Sequence, residues 1–358
     1  MADVRLPAET KYADELRALA AADERPKPPG WSLSPQAVLA YVMGAEQPVG
    51  GVRITPKYVG ARGLVEVAIA TLASERALLL VGEPGTAKSW LSEHLAAAVS
   101  GTSAFVVQGT AGTSEEQVKY SWNYALLLAE GPSPRALVPS PVYRAMESGR
   151  IARFEEVTRA ASEVQDALIS ILSEKSIAIP ELGTQLAAQR GFNLIATANT
   201  RDRGVNEMSA ALKRRFNFVT VPVVDDLEQE IAIVVRREAE LRSDYQVGVV
   251  PPAELVRMLV TVFHELRAGV TKDGKTKLKA PGSPLSTAEA ISVLFQSSIL
   301  AQCFGKGAVT ATDVGRSLAG AVAKTGGDDL AAVREYAETV AKGRPGPWKE
   351  LGAALRGG

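Results

Sequence analysis

Short apolar runs alternate with amphipathic stretches through the middle of this 358-residue chain. Four runs, RALLLVG, AFVVQG, FNLIATAN and NFVTVPV, are apolar at most positions, as strands buried on both faces of a parallel sheet are. The stretches between them, such as SWLSEHLAAAVSG and EVQDALISILSEK, have the period of an amphipathic helix. The pattern therefore predicts an α/β sandwich with a parallel sheet over residues 51–224.

From Asp225 onward the pattern becomes helical throughout. STAE at residues 286–289 has the form of a capping box that opens a third helix, and a fourth begins near Asp313. We predict a small all-helical domain over residues 225–358. Its first two helices are expected to bury these apolar faces: Leu227, Ile231, Val234, Val235 and Leu241, then Leu255, Leu259, Val262, Phe263 and Leu266.

Residues 1–50 form a third region with a different composition. A charged helix is predicted over residues 8–22 and a short helix over Pro35–Met43, separated by the proline-rich stretch DERPKPPGWSLSP. We predict a helical extension that packs on a larger body.

Composition narrows the classes of function. Lys+Arg and Asp+Glu both number 40, so the net charge does not indicate a nucleic-acid partner. Cys303 is the single cysteine and His94 and His264 are the two histidines, which excludes an intramolecular disulfide and leaves little material for a metal cluster. No apolar run is long enough for a membrane span, and we expect a cytoplasmic protein.

The loop VGEPGTAKSW nearly matches the phosphate-binding pattern G-x-x-x-x-G-K-[ST], with Ala87 in place of the second glycine. It follows a predicted strand and precedes a helix expected to begin near Lys88, where loop N–H groups and the helix end can hold phosphate. Lys88 would reach the β- and γ-phosphates and Ser89 would ligate Mg²⁺. Ala87 is expected to adopt helical angles that suit an L residue. A plain glycine turn is the alternative. The candidate nucleotide-binding residues are Gly82, Glu83, Pro84, Gly85, Thr86, Ala87, Lys88, Ser89 and Trp90.

The segment GRIARFEEVTRA places Glu155 and Glu156 after a short predicted strand that contains Arg153, an unusual residue for a buried position. Because adjacent strand residues point to opposite sides, the two carboxylates can divide two tasks. Glu155 would hold Mg²⁺ through its water shell, and Glu156 would polarise the attacking water. Two solvated glutamates at a helix start are the alternative.

Two further polar positions flank predicted strands. Asn199 ends the strand FNLIATAN, where its amide can contact a γ-phosphate and the attacking water, or can simply turn the chain. Arg214 and Arg215 precede the last strand. They can form a solvated surface pair, or stabilise transition-state charge on a neighbouring subunit's phosphate.

The order GEPGTAKS, RFEE, TAN and KRRF resembles the AAA+ ATPases, and within them the MoxR-like group of the helix-2-insert clade. The likeness spans residues 50–345 and includes the helix and hairpin after the acidic motif. MoxR-like loops often carry alanine at the position of Ala87. YVG at residues 58–60 is similar to a segment that the family places beside adenine, which implies contacts from Val59 and Gly60.

The resemblance implies an AAA+ P-loop NTPase with an α-helical lid that binds ATP and Mg²⁺ and hydrolyses ATP. It implies catalytic roles for Glu156 and Asn199, with Arg215 as the arginine finger and Arg214 as a second candidate. It further implies a ring, expected to be hexameric, that remodels or matures a partner protein, one class of which carries a von Willebrand A domain.

Two departures from the family pattern keep other functions open. The acidic motif usually begins with Asp rather than Glu155, and Leu285 and Ala288 stand where a lid arginine is sought. One alternative is a weakly hydrolysing nucleotide-binding scaffold. Another is an NTP-dependent motor subunit of a DNA-processing or restriction system, suggested by NTRDRG…ALKRRF and the basic stretch TKDGKTKLK.

Overall fold

The computed structural model describes residues 5–200, 206–282, 285–322 and 327–357. The chain forms two compact units. The first contains Met1–Gly82 and Ala87–Val221, and the second contains Glu83–Thr86 and Pro222–Gly358.

The first unit contains nine strands and ten α-helices among the described residues. The strands are β1 (Ala77–Gly82), β2 (Val106–Gln108), β3 (Tyr120–Trp122), β4 (Leu137–Pro139), β5 (Ile151–Glu155), β6 (Ser176–Ile179), β7 (Thr184–Ala187), β8 (Asn193–Asn199) and β9 (Phe216–Thr220). The helices are α1 (Ala8–Lys11), α2 (Ala13–Ala22), α3 (Pro35–Met43), α4 (Arg62–Leu72), α5 (Lys88–Ser100), α6 (Glu115–Val118), α7 (Tyr124–Glu130), α8 (Pro141–Ser148), α9 (Ser162–Ser173) and α10 (Ala210–Lys213).

Five parallel strands form the central sheet in the order β2-β5-β8-β1-β9. Both faces of this sheet are buried. Leu78 and Leu80 of β1 join the apolar core on one face, whereas Leu79 joins the core on the other. The double burial explains why the strands are apolar without alternation. The predicted α/β sandwich is confirmed.

Two small antiparallel sheets of two strands each are separate from the central sheet. Strands β3 and β4, with α7 between them, lie between α6 and α8 along the chain. None of the α7 residues is buried, and Tyr124 and Leu128 are strongly exposed. Strands β6 and β7 form the hairpin expected after the helix that follows the acidic motif.

The N-terminal helices pack within the first unit, in the same apolar core as α4 and α5. The single helix predicted over residues 8–22 is wrong, because α1 and α2 are separate. Tyr12 lies between them with φ −113° and ψ 29°. Its ring packs edge-on against His94 of α5, a tertiary contact that the local pattern does not contain. Helix α3 has the predicted bounds.

The second unit contains six α-helices among the described residues rather than the four predicted. They are α11 (Leu227–Asp244), α12 (Ala253–Ala268), α13 (Thr287–Cys303), α14 (Ala311–Val322), α15 (Gly327–Thr339) and α16 (Trp348–Gly357). The capping box of Ser286 and Glu289 at α13 is confirmed.

The face predicted for α11 is confirmed at Val234, which is buried, and at Leu227 and Ile231, which pack against the helical core, but it is wrong at Val235. Val235 is exposed, and the buried positions are Glu230, Val234 and Glu238. Glu230 tolerates burial because Arg267 donates to it at 2.6 Å and Thr287 at 2.6 Å. The buried face of α11 therefore contains carboxylates as well as aliphatic side chains, because each buried carboxylate is supplied with hydrogen-bond donors.

Some sequence predictions fall on residues outside the described ranges. These are residues 201–204 of the motor-like NTRDRG run and residues 283–284, beside the expected lid arginine. Leu285, by contrast, is buried in the helical core. Within the described ranges, no helix combines the length and apolar character needed to cross a membrane.

Candidate nucleotide site

The loop between β1 and α5 begins at Gly82, and α5 begins at Lys88, as predicted. Lys88 is buried, and its Nζ donates to the carbonyl of Gly82 at 3.1 Å. The next residue, Ser89, is exposed. Within the loop itself, the Thr86 hydroxyl donates to the Glu83 carbonyl at 2.9 Å, and Gly85 has φ 78°.

Ala87 does not adopt the helical angles expected of it. It has φ 66° and ψ 24°, which is the left-handed region. This conformation costs an L residue about 1–2 kcal/mol, whereas glycine adopts it freely. The missing glycine of the motif therefore lies at the position where the backbone would favour one, and the loop keeps its turn with alanine in place.

The carboxylate of Glu155, the last residue of β5, receives hydrogen bonds on both oxygens. Oε2 accepts from Ser89 Oγ at 2.6 Å and from Thr197 Oγ1 at 2.8 Å. Oε1 accepts from Ser92 Oγ at 2.5 Å and from Arg153 Nη2 at 2.8 Å. The first turns of α5 and two neighbouring strands thus meet at one carboxylate.

Arg153 is buried beside its partner Glu155. Its guanidinium also donates to the carbonyls of Ser89 and Ser103, at 3.2 Å each, and to Ser92 Oγ at 3.0 Å. Burial raises the pKa of Glu155, but Arg153 and the donating hydroxyls together lower it by more than burial raises it. The pKa therefore lies below its ordinary value. Arg153 and Glu155 share a face of β5 because they are two residues apart.

Glu156 lies outside β5, contrary to the prediction that the two glutamates point to opposite sides of one strand. It has φ 53° and ψ 47° and caps a 3-10 turn at Val157–Arg159. The strand therefore ends at Glu155, and a left-handed residue, not strand alternation, separates the two carboxylates. The Glu156 carboxylate contacts Arg159 Nε at 2.9 Å and Gln108 Nε2 at 3.5 Å.

Asn199 ends β8 as predicted, beside Gly82 in the register of β1 and β8. The N–H of Thr200 donates to the Gly82 carbonyl at 3.1 Å. Because Glu155 ends the adjacent parallel strand, Lys88, Ser89, Glu155 and Asn199 belong to one edge of the sheet. The structure brings these four predicted residues together.

The segment at residues 58–60 joins this edge through α5. Trp90 Nε1 donates to the carbonyl of Lys57 at 2.8 Å. Gly60 lies so close to the Tyr58 ring that an added Cβ would approach the Tyr58 hydroxyl to 2.6 Å. Lys57, the residue before this segment, is thus bonded to the first turn of α5, and Val59 and Gly60 follow it along the chain.

Arg214 and Arg215 lie at the other end of the parallel strands, where the strands begin. They precede the first residue of β9, where Ala77 N donates to the Arg215 carbonyl at 3.1 Å. Ala77 is the first residue of β1, and Lys88 follows its far end, roughly 20 Å away along a strand of this length. Arg215 contacts Ser173 Oγ and the Ala211 carbonyl, whereas the Arg214 side chain is exposed.

The donor chemistry fits a magnesium ion bound together with phosphate. Ser89 and Glu155 offer a hydroxyl and a carboxylate oxygen, the ligands Mg²⁺ prefers. In the described part of the chain no group of three His, Cys, Asp or Glu side chains could hold a metal. The remaining ligands would be phosphate oxygens and water.

Comparison with known proteins agrees with this arrangement. Residues 77–216 match the AAA domain of the dynein-related subfamily, and residues 228–353 match the YehL-like AAA+ ATPase C-terminal domain. The uncharacterised protein YehL of Escherichia coli strain K12 is 45% identical over 349 residues, covering 96% of this chain and 95% of YehL. The chain belongs to the YehL-like family of AAA+ ATPases. The AAA+ identification made from the motifs is confirmed, and the MoxR-like group stays a prediction.

Two further matches cover less of this YehL-like chain than YehL does. An uncharacterised protein of Staphylococcus aureus strain USA300 is 29% identical over 171 residues, covering 48% of this chain and 64% of that protein. The crystal structure of NtrX from Brucella abortus in complex with ATP matches with a TM-score of 0.51 and 12% identity. That match covers 84% of this chain and 61% of NtrX, and it shows the fold alone.

Sequence reasoning missed several residues that hold the site together. Ser92 and Thr197 are ordinary hydroxyls in apolar elements, and their role depends on which elements become neighbours. Arg153 carried a usable signal, since a charged residue inside a buried strand requires a partner. Its spacing of two from Glu155 identifies that partner.

The left-handed conformation of Ala87 generates the first prediction. Ala87→Gly removes the side-chain penalty at this position but makes the unfolded chain more flexible. We expect the free energy of unfolding to rise by about 0.5–1 kcal/mol. Ala20→Gly, at an exposed position of α2, is the control and should lower it by up to about 1 kcal/mol. Urea denaturation measures both, and a less stable Ala87→Gly protein would contradict the strain assigned here.

The Arg153–Glu155 pair generates the second prediction. Arg153→Met leaves a buried carboxylate without its cation and should cost about 3–5 kcal/mol at pH 7. In the wild type, the low pKa of Glu155 contributes stability above the unfolded pKa, and this is lost as the pH falls through the folded pKa. In the variant, burial favours a protonated Glu155. The stability difference should therefore shrink as the pH falls toward about 4.

Denaturation of both proteins between pH 4 and 7 checks this expectation. Arg62→Met, which breaks an exposed pair with Glu66, is the control and should change stability by less than about 1 kcal/mol. A stability difference for Arg153→Met that is independent of pH would contradict the assigned role of the charge.

Proposed function

We propose that this protein is a MoxR-like AAA+ ATPase that binds ATP with Mg²⁺, hydrolyses it and uses the cycle to remodel a partner protein. The observation that carries the proposal is the convergence of Lys88, Ser89, Glu155 and Asn199 at the carboxyl edge of the sheet. Each residue offers the chemistry that a bound triphosphate needs. The proposed division into domains remains residues 1–50, 51–224 and 225–358.

Each side chain has a distinct proposed role. Lys88 binds the β- and γ-phosphates, and the loop N–H groups of residues 82–89 donate to phosphate oxygens. Ser89 and Glu155 would hold Mg²⁺, which neutralises developing phosphate charge. Ser89 Oγ donates a hydrogen bond to Glu155 Oε2, so the two oxygen atoms that would bind the ion are adjacent. Asn199 orients the attacking water.

Glu156 is the proposed base, and its surroundings limit when it can act. Its Oε2 is engaged by Arg159 Nε at 2.9 Å, so this oxygen must leave the ion pair before it can polarise water. The pair is partly exposed, which keeps the cost of separation small.

Arg215, with Arg214 as the second candidate, is proposed to act on a neighbouring subunit. Both lie at the sheet edge opposite Lys88, so a contact with their own subunit's phosphates is excluded by the length of β1. A closed ring, for which we propose six subunits, would supply the arginine across each boundary. The proposed client is a protein, with a von Willebrand A domain as one candidate class.

The third prediction separates binding from hydrolysis. Lys88→Ala should abolish ATP binding because the phosphates lose their cation. Glu156→Gln should keep binding and lose turnover by at least about 100-fold, because only the proton-accepting group is changed. Isothermal calorimetry and phosphate release measure the two steps, and Glu163→Gln, at an exposed position of α9, is the control. Equal turnover by wild type and Glu156→Gln would contradict the assignment.

The fourth prediction tests action across a boundary. Arg215→Ala should bind ATP normally and hydrolyse it about 10³-fold more slowly or worse. Mixing Lys88→Ala with Arg215→Ala rebuilds a boundary wherever an intact loop meets an intact arginine. About a quarter of boundaries in randomly mixed closed rings should recover.

The control mixture contains Arg215→Ala and the double variant Lys88→Ala/Arg215→Ala, in which no boundary is complete. It should remain inactive. If the first mixture is equally inactive although mass photometry shows mixed rings, the assignment of Arg215 to the neighbouring site is wrong.

A further inference from the structure

The side chain of Lys57 is enclosed by the N-terminal extension. It is 1% exposed, and its Nζ contacts the carboxylate of Glu15 in α2 at 2.6 Å. The same ammonium lies 4.3 Å from the ring centre of Tyr12 and 4.8 Å from that of Tyr41. Carboxylate and ring faces are the two kinds of group that attract a buried cation.

Both oxygens of the Glu15 carboxylate accept hydrogen bonds in this enclosure. Besides Lys57, it accepts from Thr55 N at 3.0 Å and from Thr55 Oγ1 at 2.8 Å. Lys57 Nζ also donates to the Thr55 carbonyl at 2.5 Å. A buried ion pair contributes little net stability, because desolvation offsets its attraction. What this network fixes is the path of residues 55–57.

The backbone of Lys57 is hydrogen-bonded to α3 through its N–H group and to α5 through its carbonyl. The N–H groups of Lys57 and Tyr58 donate to the Val42 carbonyl of α3, at 2.8 and 3.0 Å. The Lys57 carbonyl accepts from Trp90 Nε1 at 2.8 Å, and Trp90 directly follows Ser89 in the first turn of α5. One residue therefore joins the extension, the 58–60 segment and the helix that follows the phosphate loop.

His94 completes the connection one turn further along α5. The Tyr41 hydroxyl and His94 Nδ1 are 2.9 Å apart. The His94 ring packs at 4.4 Å from that of Trp90. Helix α3 is thus connected to Trp90 through Tyr41 and His94, in addition to its backbone contact with Lys57.

We propose that Lys57 is a positioning residue through which the N-terminal extension holds the 58–60 segment in the arrangement that binds the base of the nucleotide. This inference rests on the proposed function, since it assigns a second device to the same site. It makes the extension a determinant of affinity for nucleotide as distinct from affinity for phosphate.

A second set of anchors provides a matched control. Glu9 of α1 accepts from Ser103 N at 3.0 Å and from Ser103 Oγ at 2.8 Å. It also accepts from Thr102 Oγ1 at 3.2 Å. These bonds fasten the extension beyond the far end of α5 and do not involve residues 55–60. Loss of Glu9 loosens the extension without touching the Lys57 network.

The test compares ATP with inorganic tripolyphosphate, which has the phosphates but no base. Calorimetry measures both affinities for wild type, Lys57→Met, Glu15→Gln and Glu9→Gln. If the variants leave the 58–60 segment competent for about a tenth of the time, the dissociation constant for ATP rises about 10-fold. The tripolyphosphate constant should change less than about twofold, and Glu9→Gln should resemble wild type for both probes.

The outcomes separate this inference from the proposed function. Wild-type protein that binds neither probe contradicts the proposed function itself. Wild-type binding with equal ATP affinity in Lys57→Met, or equal losses for ATP and tripolyphosphate, overturns the positioning role. Glu15→Gln keeps the shape of the side chain and decides the question if Lys57→Met does not fold. Lys57→Met/Glu15→Gln, which leaves no unpaired charge, should fold yet keep the selective loss for ATP.

Discussion

The requirement that a buried carboxylate be completely satisfied organises the first unit around Glu155. Its donors come from α5, from β5 itself and from β8, through Ser89, Ser92, Arg153 and Thr197. An unmet donor position would leave charge in a region of low dielectric, which costs more than most single contacts contribute. The loop helix, the acidic strand and the strand ending in Asn199 are therefore joined to one another at a single carboxylate.

The same requirement gives Glu155 its length. Arg153 occupies Oε1 together with Ser92, and Oε2 faces Ser89. A shorter aspartate carries its carboxylate nearer the backbone, so contact with both groups would need a different Arg153 position. The departure from the aspartate of the related motif and the unusual arginine in the strand are thus two parts of one arrangement.

Two of the four non-glycine residues with positive φ in the described part of the chain lie between a strand of the central sheet and the helical turn that follows it. Ala87 and Glu156 both adopt left-handed angles, each at the residue that precedes a helical turn. Such strain persists only where surrounding contacts over-determine the backbone. At Glu156 those contacts include its N–H bond to Thr197 Oγ1 at 2.9 Å, and Thr197 is also a donor to Glu155. One hydroxyl thereby holds the proposed metal carboxylate and the proposed base in register.

Apolar periodicity and glycine placement are local properties, and they were sufficient to predict the layered α/β unit, the helical unit and the position of the phosphate loop. The sequence also predicted that Lys88, Ser89, Glu155 and Asn199 belong together, since parallel strands end at a common edge. Tertiary structure decided the left-handed angles of Ala87 and Glu156, the break at Tyr12 and the burial of Glu230. It also decided the partners of Arg153 and Lys57. Each of these features depends on atoms supplied by distant segments of the chain. A charged side chain can be buried only where hydrogen-bonding partners surround it, and no local sequence pattern encodes those partners.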